Sequence, residues 1–599
     1  MCGINGFSWT DNNLINLMND FIHNRGPDDV GTYFDDSISM GNRRLAIIDL
    51  SIKGHQPMSN EKETIWITYN GEIYNYIELK NILISKGHIF KSNSDTEVII
   101  HAYEEYGFDF VKYFNGMWAF CIYDKEKKIL VLSRDYFGIK PLYYYSDKNK
   151  FIFSSMIGSI LLHQINYKPN EKKILEFLVH SLEDIDDSTF FENIFKVPTD
   201  NLLIYHLQQK NLEYYKWYER NKESIYSDPQ QIKDLFMDSV KLRTISDVPI
   251  GCCLSGGIDS SIITSLLDKY LNQEIWSFTF SIPNSKYDES KYITEIEKYI
   301  KIKKHIITMN SNDFINDFND FILTQEEPVT GLTVYAQYLV MKLAHSNNIK
   351  VLLDGQGGDE LFAGYPYYFC YYYYELLKEF KLLTFLKESL LYIKNYKNIL
   401  PFKMLFFMFL PEKVKKYSYT KRIPWFNADL LDEYDVKNSR WNKMTLKDAL
   451  FQSLYKTEIP HLLKWEDKNS MRWSIESRPP YLDPRLVNFS LNIPSNLKIR
   501  NGETKYVIKN LFKEYLPTMI LNRKDKIGFV APADELFREP NVVNFVKKIF
   551  NSDSFKNRKY WNYHIIQKIF DDHIVGKVNA GDLIFKIITL ELWLVTYFP

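Results

Sequence analysis

Val248-Pro-Ile-Gly-Cys-Cys-Leu-Ser-Gly-Gly-Ile-Asp-Ser-Ser261 changes its period half-way along. Val248 to Leu254 is a short apolar run with the length of a buried parallel strand. Ser255-Gly256-Gly257 interrupts it, and Ile258, Ile262, Ile263, Leu266, Leu267 and Leu271 then recur at helical spacing, so a helix begins at about Ile258. A strand that turns into a helix through two glycines is a cradle for an anion. The glycines let backbone N–H groups approach a phosphate, and the helix N-terminus adds roughly half a positive charge. No Gly-Lys-Ser/Thr follows, which excludes the Walker-type phosphate loop.

Downstream, the patterns predict strands over 275–282 and 349–353 and helices over 287–300 and 334–345. Strands alternating with helices imply a doubly wound parallel sheet, whose ligands sit beyond the strand C-termini. Asp354-Gly-Gln-Gly-Gly-Asp-Glu-Leu-Phe-Ala-Gly-Tyr365 therefore falls at the same sheet edge as Ser255–Ser260. Glycines again follow a strand and acids open a helix, which makes Asp359 the partner expected for Asp259. The S-G-G-I-D-S core resembles the pyrophosphate loop of ATP pyrophosphatases, enzymes that cleave ATP between the α- and β-phosphates. That resemblance implies that Ser255, Gly256, Gly257 and Ser260 hold pyrophosphate and that Asp259, with Asp359, holds Mg2+, a hard cation suited to carboxylate oxygens.

Upstream, the chain opens Met1-Cys-Gly-Ile-Asn-Gly-Phe. A small residue at position 2 permits removal of Met1, after which the α-amine of Cys2, with a pKa of roughly 8, can act as base toward its own thiol. Arg25-Gly-Pro-Asp28, Arg43-Arg-Leu-Ala-Ile-Ile-Asp49, Tyr69-Asn-Gly-Glu-Ile-Tyr-Asn75, Ser94-Asp-Thr-Glu97 and Arg134-Asp-Tyr-Phe-Gly-Ile-Lys-Pro-Leu-Tyr143 follow in that order. Together with Cys2 they resemble the class II glutamine amidotransferase domain, an N-terminal-nucleophile (Ntn) hydrolase. The resemblance implies that Cys2 attacks the glutamine side-chain amide and that Asn70 and the Gly71 N–H form the oxyanion hole. It also implies that Arg44 forks onto the α-carboxylate while Asp95 and Glu72 receive the α-ammonium. Strands are expected over 65–69, 117–123, 129–133 and 151–155, and helices over 78–86 and 97–106. The four-layer αββα order comes from the resemblance.

With both sets in order, the chain resembles the glutamine-hydrolysing asparagine synthetases of bacterial type. The fold expected is two-domain: an N-terminal αββα Ntn-hydrolase sandwich over 2–212 and a doubly wound parallel α/β pyrophosphate-loop domain over 225–540, with helical additions over 541–599. The segment 213–223, polar and aromatic with no clear period, reads as a linker. The resemblance implies that Cys253, Ser255, Gly256, Gly257, Asp259, Ser260, Phe280, Asp354, Gly355 and Lys505 bind ATP. Gln356 and Arg478 are expected where the intermediate forms, with Lys505 and Arg478 neutralising phosphate charge. It implies as substrates glutamine, ATP and aspartate, whose side-chain carboxylate becomes an acyl-adenylate before ammonia displaces AMP. A homodimer is left open.

One departure bears on the acceptor. The family's Ser-Gly-Glu-Gly reads Asp354-Gly-Gln356-Gly here, and Gln356 hydrogen-bonds but carries no charge. Two other readings therefore stand beside asparagine synthesis: amidation of a sugar carboxylate in surface-polysaccharide synthesis, and a silent scaffold. Intact Cys2, Arg44, Asp95, Asp259 and Asp359 oppose the scaffold.

Bulk properties narrow the class. A chain of 599 residues exceeds one core and suggests about two to four domains. A net charge of −1 argues against a nucleic-acid binder working through bulk electrostatics. The five cysteines, Cys2, Cys121, Cys252, Cys253 and Cys370, have neither zinc spacing nor a disulfide framework, which points to a reducing cytoplasm. No signal peptide precedes Cys2, and the apolar tracts 404–410 and 583–598 are too short or carry Lys586 and Glu591, so no membrane span is expected. The tyrosine-rich stretch 365–374 reads as a packed aromatic helix, 384–410 as helix broken at Pro401, and the tail from His564 as further helices.

Overall fold

The computed structural model describes residues 2–220, 228–271, 274–283, 285, 288–427, 429–430, 442–524 and 530–599. Two six-stranded sheets build the N-terminal domain. One has the order Ile194–Lys196, Tyr143–Ser146, Phe151–Ser154, Cys2–Phe7, Ser39–Arg44, Asp29–Phe34; the other Asn211–Lys216, Asn201–His206, Ile129–Arg134, Gly116–Asp124, Ile65–Ile73, Met58–Ser59. Every pairing within them is antiparallel. Ile4, Met40, Phe153, Ala119, Leu132 and Leu203 fill one core cluster between the sheets. Helix Asn12–Phe21 covers the outer face of the first sheet through Ile15 and Met18, and helix Asp95–Tyr106 covers the second through Val98, Ile99 and Ala102. The result is a four-layer αββα sandwich, as expected.

The strand expected over 65–69 runs on to Ile73, so Asn70-Gly71-Glu72 lies within a paired strand rather than in a loop. Alternation then sends Tyr69 toward the covering helix and Asn70 toward the opposite sheet. The linker expected over 213–223 begins instead as sheet. Glu213–Lys216 pair with Asn201–Ile204, with Leu212 packed on the core between the sheets and Tyr215 on the core of the opposite face, and Trp217 and Tyr218 are buried beyond them. Residues 221–223 lie outside the described residues.

The third sheet is parallel, in the order Ile302–Ile307, Ile275–Phe280, Ile250–Cys253, Val351–Leu353, Glu476–Arg478. Helices lie on both its faces, Ile258–Leu271 through Ile262 and Leu266, and Thr333–Ser346 through Tyr335 and Leu339. The chain leaves Ile250–Cys253 to one side, then crosses to place Val351–Leu353 on the other. The loops after Cys253 and Leu353 therefore open beside each other at the topological switch point.

The expected helix over 287–300 is shorter, Ser290–Glu297, and residues 284, 286 and 287 lie outside the described residues. The tyrosine-rich stretch is a packed helix, Tyr368–Lys378, with Tyr368, Phe369, Tyr372 and Tyr373 buried. Pro401 separates helix Leu382–Tyr396 from Leu400–Met408 by starting the second, where its missing N–H costs no bond. The tail holds Tyr563–Ile574 and Gly581–Tyr597. Among the described residues no helix is long and apolar enough to cross a membrane.

Helix Ile459–Arg472 joins the halves and is buried along almost its whole length. Its Asp467 takes a two-toothed bond from Arg25 at 2.8 and 3.2 Å, its Lys464 pairs with Asp184 at 2.7 Å and Glu327 at 3.1 Å, and its Lys468 pairs with Glu326. Removing one partner of such a pair would leave a buried charge alone, at a cost of about 3–5 kcal/mol. The Arg25–Asp467 and Lys464–Asp184 pairs cross between the halves and fix how they meet.

Candidate active site

Register brings the residues of the first site together. Cys2 lies opposite Arg44 in the paired strands, and its N–H donates to Asn70 Oδ1 at 2.9 Å across the sandwich. That bond leaves Asn70 Nδ2 buried with no acceptor among the described residues, a donor held ready beside the thiol. At Gly71 an added Cβ would collide with the Met117 carbonyl, so only glycine lets the two strands approach this closely. Burial pushes the Cys2 thiol up, while the Leu45 N–H and the Arg44 charge act the other way.

Arg44 is anchored by three carbonyls, Ser51 at 3.1 Å, Ile48 at 3.2 Å and Asp49 at 2.5 Å. The loop that supplies them touches the C-terminal half, since Asp247 donates its N–H to Ile47 O at 3.0 Å and accepts the Asp49 N–H at 2.9 Å. Asp95 opens its helix and accepts the Tyr69 hydroxyl and the Ile73 N–H, both at 2.9 Å. Burial nevertheless raises its carboxyl to about 6.

The second site is a cavity of about 360 Å3 at the switch point. Cys253, Ser255, Gly257, Asp259, Ser260, Phe280, Asp354, Gly355, Gln356 and Asp359 all line it. Gly256 takes φ +63°, and a Cβ there would press on Tyr292, so the turn requires glycine. Lys505 lies beneath, with its ammonium between Asp259 and Asp359. Two carboxylates from two loops converging on one cationic point form a donor set of hard oxygens, which suits a divalent cation such as Mg2+.

Strand Glu476–Arg478 runs between the sites and serves both. Its Ser477 hydroxyl meets Asp354 Oδ2 at 2.5 Å and also Glu466 Oε1. A hydroxyl carries one hydrogen, so an acid must donate the second contact. Burial, and then Asp354, push Glu466 well above the ordinary carboxyl range, which puts that proton on Glu466. On the other face Arg478 donates to Glu476 at 2.5 Å and lies 3.7 Å from Glu72. Burial works against ionisation of both acids. Arg478 outweighs it at Glu476 and holds that carboxyl down, while burial and then Glu476 push Glu72 well up. One guanidinium thus keeps one carboxylate charged and leaves the other protonated.

Comparison with known proteins agrees with both halves. A family profile described as "Asparagine synthase" matches residues 231–595, and one described as "Glutamine amidotransferase domain" matches 1–218. The chain belongs to the asparagine synthase family. Asparagine synthetase [glutamine-hydrolyzing] 1 of Bacillus subtilis is 29% identical over 608 residues, covering 97% of this chain and 93% of that protein. A Methanocaldococcus jannaschii protein, an asparagine synthetase [glutamine-hydrolyzing] by name, is 34% identical over 517 residues, covering 80% of this chain and 99% of that protein. "Amidase chry2" of Gibberella zeae is 26% identical over 581 residues, covering 86% and 84%. This member of the asparagine synthase family is a glutamine-hydrolysing ligase that carries out glutamine-dependent amidation.

Within this family frame, one residue stands elsewhere than the sequence reading placed it. Arg478, expected beside phosphate, is not among the residues lining the cavity. It is fully buried on the Glu72 side, donating to the Arg243 and Ile245 carbonyls at 2.8 and 2.7 Å, because alternation along its short strand turns it away from Asp354. Glu72, expected at the glutamine ammonium with Asp95, lies within the field of Asp95 and of Cys2 and also faces Arg478 and Glu476. Glu466, Ser477, Trp465 and Gln337 were missed, although all but Ser477 line the cavity. For Trp465 and Glu466 the one signal was the helical run Ile459–Arg472, whose charged residues stand where a core helix would carry apolar ones, while Gln337 lies on helix Thr333–Ser346 and Ser477 on the strand Glu476–Arg478.

Proposed function

We propose that the protein makes asparagine from aspartate, ATP and glutamine. The observation that carries the reading is the single strand Glu476–Arg478, whose alternate side chains reach the Cys2 end and the pyrophosphate-loop cavity. At the first site Cys2 Sγ attacks the glutamine side-chain amide, and its own amine, once Met1 is removed, takes the thiol proton. Asn70 Nδ2 and the Gly71 N–H hold the developing oxyanion. Arg44 and Asp95 hold the glutamine carboxylate and ammonium. Ammonia leaves, and water releases glutamate from the thioester.

At the second site, Ser255, Gly257 and Ser260 cradle the β- and γ-phosphates, and Phe280 sits within reach of the base. Asp259 and Asp359 would hold Mg2+, which supplies charge neutralisation on the phosphates, and Lys505 sets the spacing of the two acids. The aspartate carboxylate attacks the α-phosphate, pyrophosphate departs, and ammonia displaces AMP from the acyl-adenylate. A second cavity, of about 130 Å3, lies between the halves, lined by Gly138 and Pro141 from one and Lys464 and Asp467 from the other. An enclosed passage from the first site to the second would keep the ammonia from protonation in bulk water.

The test supplies glutamine, ATP, magnesium ion and aspartate labelled with 18O in its side-chain carboxylate. Label in AMP, with asparagine and AMP formed one to one, is expected; no aspartate-dependent AMP overturns the reading. A second reading, a larger carboxylate such as a uronic acid, is favoured by the cavity wall. Among the described residues lining it there is no Lys or Arg to meet an amino-acid α-carboxylate, and Gln356 stands where an acid is usual. The same assay with a uronic acid in place of aspartate separates the two.

A further inference from the structure

On the outer layer of the amidotransferase domain, three side chains that glutamine chemistry does not use converge. His101 and Glu104 are three residues apart on helix Asp95–Tyr106 and share a face. His88 stands in the turn after helix Tyr76–Ser85, where its N–H donates to Leu83 O at 3.1 Å. His88 Nδ1 lies 3.2 Å from His101 Nδ1, His101 Nδ1 lies 2.8 Å from Glu104 Oε2, and His88 Nδ1 lies 3.7 Å from that oxygen. In a tetrahedral zinc site with bonds of about 2.0–2.1 Å, donor atoms stand roughly 3.3 Å apart. The three separations straddle that length.

The outward nitrogens are also occupied. His88 Nε2 lies 3.3 Å from Glu105 Oε2, and His101 Nε2 lies 3.6 Å from Glu61 and 3.9 Å from Glu97. Carboxylates behind both rings favour a hydrogen on Nε2, and with a metal ion in place of the inner proton the Nδ1 lone pairs would point inward, the arrangement that orients histidine ligands. Glu97 is itself fixed by the Lys91 and Ser92 N–H groups at 2.8 Å, and the His101 ring is pinned edge-on by Phe90. Two lone pairs and a carboxylate oxygen then face one another at short range, and one proton on His101 relieves only the Glu104 contact. A single cation relieves all three.

We propose that His88, His101 and Glu104 bind one divalent transition-metal ion of the zinc class, with water as fourth ligand on the exposed side. Two imidazoles and one carboxylate suit zinc, cobalt or nickel rather than magnesium, which prefers oxygen ligands alone. The ion clips the turn at His88 to the helix that presents Asp95. It is a structural clamp on the glutamine end, separate from the Asp259 and Asp359 pair.

The test uses full-length, tag-free protein stripped with chelator and titrated with Co2+. One equivalent giving the intense visible bands of tetrahedral cobalt, displaced by Zn2+ and not by excess Mg2+, is expected. His88→Ala and Glu104→Gln, both at partly exposed positions, should each weaken binding at least about 100-fold, and Glu105→Gln about tenfold. Zn2+ should raise the unfolding temperature of the wild type and leave that of His88→Ala unmoved. No tetrahedral band at one equivalent, or a band unchanged in His88→Ala and Glu104→Gln, overturns the proposal.

Discussion

Around Cys2 the protein itself has placed the polar atoms that the chemistry uses. Asn70 is tied to the Cys2 N–H, Arg44 to three carbonyls, and Asp95 to Tyr69 and Ile73. Around Asp259 it has instead left a cavity of about 360 Å3, walled by two glycine loops and held open at its base by Lys505. The difference follows from the sheets. Antiparallel register sets Cys2 against Arg44 residue by residue, whereas neighbouring parallel strands set only the distance between two loops. The first site is built before its substrate arrives, and the second is completed by one. Substitutions at the first should therefore behave as loss of a part, and at the second as loss of fit.

The sharpest separation is expected from Cys2→Ala. Glutamine-dependent synthesis should fall by roughly 10⁴-fold or more, as when a covalent nucleophile is removed, while synthesis from ammonium salts stays within about a factor of three. Coupled assay of AMP with each nitrogen source measures it, and parallel loss of both would mean that the two ends are not separate. Lys505→Met should do the converse. With nothing between Asp259 and Asp359, ATP–pyrophosphate exchange should drop by about 10²–10³-fold and glutaminase activity hold within about twofold. A glutaminase that falls equally would show the two ends to be one cooperative unit.

Both loops were legible because glycine, serine and aspartate at fixed spacing after an apolar run carry their geometry with them. The six ordered matches at the N-terminal end were legible for the same reason. What lies between the ends was not. Glu466, Ser477 and Arg478 acquire their partners, Asp354 and Glu72, only through long-range packing, and no local pattern tells which face of a three-residue strand meets which site. Asn70-Gly71-Glu72 was legible as a motif but not as the middle of a strand, so the approach of Glu72 to Arg478 was not legible.

That strand offers a finer way to break the comparison. Ser477→Ala removes the hydroxyl between Asp354 and Glu466, and should lower ammonium-driven synthesis about tenfold with glutaminase unchanged. Glu476→Gln strips the ionised partner from Arg478 and lets Glu72 claim it, so glutaminase should fall by a similar factor while ATP–pyrophosphate exchange persists. Neighbouring residues with opposite effects would establish that one strand faces two sites. Matching effects would reduce it to a shared support.

The smallest effect is a pH limb belonging to one end alone. Asp95 titrates at about 6, raised first by burial, with the Ile73 and Tyr69 bonds acting against it. Its carboxylate must be charged to hold the glutamine ammonium, so the charged form prevails above pH 6 and is lost as pH falls through that value. Glutaminase kcat/KM should therefore fall roughly fourfold half a unit below 6 and approach tenfold per unit further down. Asp95→Asn should start from a lower level and show no such limb. ATP–pyrophosphate exchange at the other end should show no limb traceable to Asp95 in either protein. A limb that survives in Asp95→Asn would move the titration to another acid of the same buried group, with Glu72 and Glu476 the ones that face it.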